Sequence, residues 1–429
     1  MQPSNLCKPW EHDLSRRQWL GTTAGAAAGT VGLGALLDPA IAQQVKEKQK
    51  QVLLVWLDGG ICQLESWDPK PGTRFGGPFR AIPTSLPGVH ISELLPRCAT
   101  VLHHLSLVRS MRTQDNSHSA GVPRMQRGDP KNRGVIYPYF GSAVAKLMGP
   151  GDSGLPPYVW IKPGSGGFIH KDAGFLGPKY GALAFGDGKP PANMQLPETI
   201  SEQDDDDRNA LRVALNGRYA ARRRKQATEA DTYVYDVART LMKRQDLFDE
   251  SQFSPADVER YGQHEIGRHM LQGRKMLEAG VRFVKVNSYG WDSHGDHFNG
   301  AFSQHAKFDQ AFAAIIEDLH ERGMMEHVLV VCMSEFGRTP RINGHIGRDH
   351  WPEAWTVALG GCGITAGNVV GKTNKEGTFV DSEEYDIGHM FHTWFKALGI
   401  DPDVVEYDNN GQPLPIAHDD MHAIKEVLS

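Results

Sequence analysis

Residues 281–299 read VRFVKVNSYGWDSHGDHFN, an apolar, β-branched run that opens directly onto Asp292, His294, Asp296 and His297. A short apolar run of this kind reads as a strand buried on both faces, which is how strands of a parallel sheet look in sequence. Three more runs share the design. Gln51–Leu57 (QVLLVWL) stops at Asp58-Gly59-Gly60, residues 105–108 lead into the polar loop 109–121, and residues 327–333 (HVLVVCM) stop at Ser334-Glu335. Parallel strands need long crossover connections, and in such α/β folds the residues beyond the carboxyl ends of the strands converge on one crevice. Each loop alone equally suits a solvated turn whose acids cap the next helix. The repetition is what predicts a single α/β domain, with a mostly parallel central sheet flanked by helices and a polar site at one edge.

The composition agrees with a folded enzyme-sized domain: 40% of the 429 residues are hydrophobic and 23% charged, which rules out disorder. A formal net charge of -5 leaves no basic face for nucleic acid, and the basic run 222–225 is offset by the acidic run 204–207. Nucleic acid is therefore not an expected partner.

The first 42 residues read as an export signal. Arg16-Arg17 precede an uncharged Gly- and Ala-rich run from Gly21 to Leu37, and Ala40-Ile41-Ala42 is a cleavage pattern that leaves a mature chain beginning at Gln43. The weak hydrophobicity of the run suits twin-arginine export, placing the protein in the periplasm or at the cell surface with the twin-arginine machinery as a partner. No later segment has the roughly 18 continuous apolar residues of a stable transmembrane span. Of the five cysteines, Cys7 leaves with the signal; Cys62, Cys98, Cys332 and Cys362 contain no CxxC pair, and one or two disulfides are compatible with export.

Along the chain, a short helix is expected over 95–105, strands over 158–161 and 356–359, a Gly- and Pro-rich surface excursion over 163–197, and a helical insertion over about 199–280. Ser254-Pro255 opens a capped helix there. Phe302, His305, Phe308, Phe312, Ile315, Ile316 and Leu319 fall at helical spacing, which makes His305 a core residue rather than a ligand. The segment after Glu335 reads as a loop carrying His345, Arg348, Asp349 and His350, and a last helix is expected over 387–398. In the loop 109–121, arginines can hold an anionic group bidentately, and Ser117 or Ser119 at a helix start can serve as a nucleophile or simply as a cap. Asp and neutral His are ligands for zinc, manganese or iron.

The motifs WLDGG, ESWDPKPG, NSHSAG, GFLGPKY, WDSHGDHF, SEFGRTP and GRDHW, running in this order from about Val52 to Ile416, resemble the domain-of-unknown-function family 1501. These are twin-arginine-exported proteins grouped with the alkaline phosphatase superfamily. The resemblance implies an alkaline-phosphatase-like fold with one or two divalent metal ions, zinc or manganese foremost and magnesium or calcium as alternatives. It implies metal ligands at Asp58, at Asp292 with His297, at Glu335 and at His350, with His294 and Asp296 competing and with Glu65, Asp68 or Asp349 rebuilding a second site. Phe336 stands where the superfamily has a ligating histidine. The resemblance also makes Ser117 the candidate nucleophile, with a metal-bound water as the alternative and Arg112 or Arg338 expected to neutralise the substrate's oxygens. The implied activity is hydrolysis of phosphate or sulfate esters, on a small molecule or a polysaccharide. The rival is a non-catalytic surface protein that retains the fold for binding, and a mutase-type transferase is a third reading.

Overall fold

The structure is a computed structural model that describes residues 50–128, 133–190, 195–221 and 225–429. The expected export signal over 1–42 lies outside the described residues. In chain order the strands are β1 (Gln51–Leu57), β2 (Ala81–Pro83), β3 (His90–Ser92), β4 (Leu105–Met111), β5 (Tyr158–Lys162), β6 (Gly167–Ile169), β7 (Ala182–Gly186) and β8 (Phe283–Ser288). They continue with β9 (Val328–Met333), β10 (Gly337–Ile342), β11 (Arg348–Trp351), β12 (Trp355–Gly361), β13 (Val369–Val370), β14 (Glu406–Asn409) and β15 (Gln412–Pro415).

Nine of these strands form the central sheet, in the order β13-β4-β12-β9-β1-β8-β5-β7-β6. Only β12 and β6 run against their neighbours, so β4, β9, β1, β8 and β5 all end at the same edge. Strand β1 sits at the centre with all seven residues buried, paired in parallel with β8 and β9. Its alternation sends Leu53, Val55 and Leu57 into one core and Val52, Leu54 and Trp56 into another. This double burial is why the strand shows no polar alternation.

The first core lies under α1 (Pro96–Val101), α7 (Glu265–Glu278) and α8 (His297–Glu321), and the second under α3 (Phe140–Met148) and α9 (Ile387–Ala397). In α8 the predicted stripe is buried from His305 onward, Phe308, Phe312, Ile315, Ile316 and Leu319 being inaccessible to solvent, whereas Phe302 at its start is exposed. Each such side chain contributes about 1.5–3 kcal/mol of burial. His305 lies in this core as expected, its Nδ1 donating to the carbonyl of Ala301 at 2.8 Å. No described helix is long and apolar enough to cross a membrane.

Three expectations need correction. The stretch 163–197 contains β7 (ALAFG), a buried strand of the main sheet beside β5, concealed in sequence by the Gly- and Pro-rich segments around it. The helical region 199–280 has two roles: in the hairpin of α4 (Glu202–Ala220) and α5 (Lys225–Lys243), α4 is unburied and α5 reaches the first core through Val237 and Leu241, whereas α7 buries ten residues against the sheet. Residues 337–351 form the antiparallel hairpin β10–β11 rather than an irregular loop. The capped helix α6 (Pro255–Tyr261) is present, with the Ser254 hydroxyl accepting from the amide of Asp257. Cys62, Cys98, Cys332 and Cys362 are buried and free, so no disulfide forms among the described residues.

Candidate metal centre

At the carboxyl edge, Asp58 follows β1, Glu335 follows β9, and Asn287 lies near the end of β8, donating from Nδ2 to Asp58 Oδ2 at 3.1 Å. Gly59 holds φ +117°, and a Cβ there would lie 2.5 Å from the amide nitrogen of Asp292. The Asp-Gly-Gly turn thus lets the loop after β8 lie against the end of β1, which delivers Asp292 to the edge. Helix α2 (His118–Arg127) begins above the same edge, and the β10–β11 hairpin brings Asp349 and His350 to it.

Three imidazoles surround Asp292. His118 Nε2 is 3.2 Å from its Oδ2, while His294 Nε2 and His350 Nε2 are 3.0 and 3.1 Å from its Oδ1. The Nε2 atoms of His294 and His350 are themselves 3.1 Å apart. Each ring is oriented from behind through Nδ1: His118 by Glu335 Oε1 at 2.7 Å, His294 by Asp349 Oδ1 at 2.7 Å, and His350 by the carbonyl of Asn116 at 2.7 Å. A carbonyl or carboxylate oxygen only accepts, so each neutral ring carries its proton on Nδ1 and turns the Nε2 lone pair toward Asp292. In that tautomer three lone pairs and a carboxylate face one another, a set that could hold a cation. The ligating atoms of His118, Asp292 and His350 all lie within 4.8 Å of one another.

Phe336 is fully buried beneath this group, its ring centroid 4.4 Å from that of His350 and 5.2 Å from that of His118. It binds no metal and instead forms the floor on which two of the histidines rest. Glu335 Oε1 also accepts from the amide of Gly59 at 2.9 Å, while its buried Oε2 has no hydrogen-bond partner. Burial raises the carboxyl pKa of Glu335, and nearby Asp58 adds to the effect; burial likewise raises that of Asp58, against the pull of Lys285 and His118. Lys285 lies deeper on β8, fully buried, with Nζ 2.7 Å from Gln126 Oε1 and 4.2 Å from the Trp160 ring centroid. Burial brings its pKa down to about 8, opposed by Asp172, Asp58 and Glu335. It is a fixed cation beneath the two carboxylates.

His297 belongs elsewhere. Its Nε2 meets Glu65 Oε2 at 2.9 Å and its Nδ1 meets Ser293 Oγ at 2.5 Å, while Glu65 Oε1 accepts from Arg348 Nη2 at 2.6 Å. Glu65, His297 and Arg348 are all buried, with Cys62 beside them. Burial of Glu65 favours its neutral form, but His297 and Arg348 outweigh this and hold the pKa at about 2. Burial and the adjacent Glu65 push the Cys62 thiol up, away from the thiolate that a metal would need. Arg348 neutralises Glu65 much as Arg338 does Asp292, but the third donor here is the Cys62 thiol that burial keeps protonated, so this trio reads as a buried ion-pair network rather than as the ion centre.

The expected site residues therefore separate. Asp292, His294 and His350 come together; Glu335 and Asp349 stand behind histidines as acceptors; Asp58 sits below with Asn287; His297 is in the other network. Asp296 takes a left-handed conformation (φ 45°) at the start of α8 and accepts from Asn299, turning away. Arg338 is fully buried, bonded to Asp292 Oδ1 at 2.5 Å and to the carbonyls of Gly59, Gly60 and Arg348, so it holds Asp292 rather than facing a substrate. Arg112 is held by Glu353 and Glu384 at 2.8 and 2.7 Å. Ser117 occupies the N-cap position of α2 without capping, its exposed hydroxyl 3.4 Å from that of Ser119, between Asn116 and His118 that both engage the centre. The candidate ligand that sequence reasoning did not name is His118; its signal was its place beyond the carboxyl end of β4, one residue past Ser117.

Among solved structures, the chain is similar to the C-terminal periplasmic domain of EcEptC from Escherichia coli in complex with Zn, at 11% identity and a TM-score of 0.40, covering 86% of this chain and 92% of that one. It is also similar to the PsFucS1 sulfatase from Pseudoalteromonas sp., at 14% identity and a TM-score of 0.37, covering 87% and 72%. The alkaline phosphatase from the Antarctic bacterium TAB5 is a third, at 12% identity and a TM-score of 0.34, covering 81% and 98%. No curated protein matches the sequence. The model of one family, described as a protein of unknown function (DUF1501), matches residues 49–428, which include β1, the histidine centre and α9. The chain therefore belongs to the DUF1501 family.

Proposed function

We propose that this protein is an exported, metal-dependent hydrolase of phosphate or sulfate esters. The observation that carries the reading is the convergence of three Nδ1-anchored imidazoles on Asp292 at 3.0–3.2 Å. Their chemistry fits a divalent ion, held by His118, His294, His350 and Asp292. A donor set rich in imidazole favours zinc over magnesium or calcium. A bound ion supplies a Lewis acid that lowers the pKa of a neighbouring hydroxyl or water and offsets charge on ester oxygens.

The chain's own residues do the rest. Glu335, Asp349 and the carbonyl of Asn116 fix the three tautomers. Arg338 locks the Asp292 carboxylate, and Lys285 balances Asp58 and Glu335 from below. Ser117 offers a hydroxyl that no cap consumes, and it is the nucleophile of this reading. The ester class follows the motif resemblance, and export follows Arg16-Arg17 and Ala40-Ile41-Ala42.

Zinc- or manganese-loaded protein is expected to turn over an aryl phosphate or aryl sulfate, and Ser117→Ala to reduce turnover at least about a hundredfold with metal content intact. Activity surviving in that variant transfers the attack to Ser119 or water. A second reading, a non-catalytic binding protein, is favoured by one observation: neither Arg112 nor Arg338 is free to receive an anion. Inactivity of the loaded wild type across a broad panel of esters decides for it.

For export, replacing Arg16 and Arg17 by lysine is expected to leave precursor in the cytoplasm. Normal export of that variant refutes the twin-arginine assignment.

A further inference from the structure

The GFLGPKY motif of residues 174–180 takes no part in the metal centre. It ends just before β7, which runs parallel to β5 and β8, so it lies at the amino edge of the sheet, opposite Asp292. Gly174 holds φ 51°, and a Cβ there would lie 2.2 Å from the carbonyl oxygen of Ile136. Phe175 packs edge-on against Tyr137 and Tyr407, with ring centroids 5.2 and 5.4 Å away. Thus anchored, the motif walls a cavity of about 180 Å³ whose other side is Lys146 of α3 with Asn409 and Asn410 at the β14–β15 turn. Lys179 and Glu229 also line a second cavity of about 450 Å³, formed with α4 and α5 by residues that include Asn216 and Tyr233. The two cavities make one groove.

The groups on this groove differ in what they already hold. Asp236 is paired with Arg212 at 2.9 Å, Asp408 accepts from the amide of Gly411 at 2.6 Å, and Glu229 is likewise engaged. Lys146 and Lys179 are exposed and make no ion pair among the described residues; their ammonium groups lie 5.2 and 5.8 Å from the centroid of the one Tyr180 ring. Two unpaired cations converging on one ring fit an anion. Further along, Asn216 donates its amide protons to Asp231 and Thr232 and keeps its oxygen, while the Tyr233 phenol has no partner among the described residues. Amides and a phenol that can both accept and donate, beside aromatic rings, suit the hydroxyls and apolar faces of sugars.

We propose that this groove binds an anionic glycan, an oligosaccharide bearing sulfate or phosphate, with the anionic group held by Lys146 and Lys179 and sugar hydroxyls by Asn216, Tyr233, Asn409 and Asn410. The site stands apart from the metal centre and does not rest on hydrolysis there. Calorimetry on the full chain, using a sulfated galactan tetrasaccharide, its desulfated form, a phosphorylated mannan tetrasaccharide and inorganic sulfate, tests it. The sulfated or the phosphorylated chain is expected to bind once per protein, and the tighter of the two identifies the anionic group. Loss of the sulfate, or Lys146→Gln with Lys179→Gln at their exposed positions, should weaken binding by about tenfold or more. His350→Ala should bind as the wild type does. The proposal is overturned if neither charged chain binds, if the desulfated chain or inorganic sulfate binds as tightly, or if the double lysine variant keeps full affinity. Binding lost in His350→Ala and kept in the lysine variant overturns it in favour of the metal centre.

Discussion

Replacing His118 or His350 by alanine is expected to lower the bound metal of the folded protein from one divalent ion per chain to a trace, measured by inductively coupled plasma mass spectrometry after exhaustive buffer exchange. Each of these side chains aims an Nε2 lone pair at Asp292, and no neighbouring group among the described residues replaces it. Asp349→Ala acts one step removed, since it only orients His294. Loss of such an orienting partner costs about 10–100-fold in metal affinity, so a zinc titration should show weakened binding with stoichiometry preserved. His297→Ala provides the contrast. Its ring is bonded to Glu65 and Ser293, and the variant should keep its metal while losing stability. If His297→Ala strips the ion as thoroughly as His350→Ala while the protein stays folded, the separation into a metal centre and an ion-pair network is wrong.

The second large effect is on stability. Glu65→Ala leaves the fully buried Arg348 guanidinium without its carboxylate, and breaking a buried pair from one side costs about 3–5 kcal/mol. Urea denaturation at neutral pH measures this directly. Replacing Glu65, His297 and Arg348 together by apolar residues of similar volume should cost far less than Glu65→Ala alone, because no charge is then left stranded. The same network sets an acid limit. The Glu65 pKa falls from 4.5 to about 2 on folding, so the folded state binds fewer protons between those values than the unfolded state. Its contribution, about 3 kcal/mol, is complete above pH 4.5 and is lost as pH falls toward 2. A Glu65→Gln variant should lack that part of the acid slope. An acid slope between pH 4.5 and 2 as steep in Glu65→Gln as in the wild type would remove Glu65 from the account.

What the sequence determined was the sheet and its working edge. A strand buried on both faces must be apolar throughout, so QVLLVWL and HVLVVCM announce central strands, and polar residues that break such runs mark where the strands emerge. The long helices were legible for a related reason: the stripe from His305 to Leu319 has a period that only a helix can bury. Strand β7 was not legible, because its five residues lie inside a Gly- and Pro-rich stretch and, buried on both faces, show no polar alternation. The histidines of the centre were legible as chemistry but not as partners. His294 and His297 are three residues apart, yet the left-handed turn at Asp296 sends one to Asp292 and the other into the core with Glu65. Arg338 was expected to receive an anion, and only the closure of the β10–β11 hairpin commits its guanidinium, like that of Arg348, to a carboxylate within the protein. Which residues meet across the edge depends on strand order and hairpin geometry, and those are set by packing among segments more than 200 residues apart in the chain. Local sequence specified the donors; tertiary structure chose which lone pairs share one point in space.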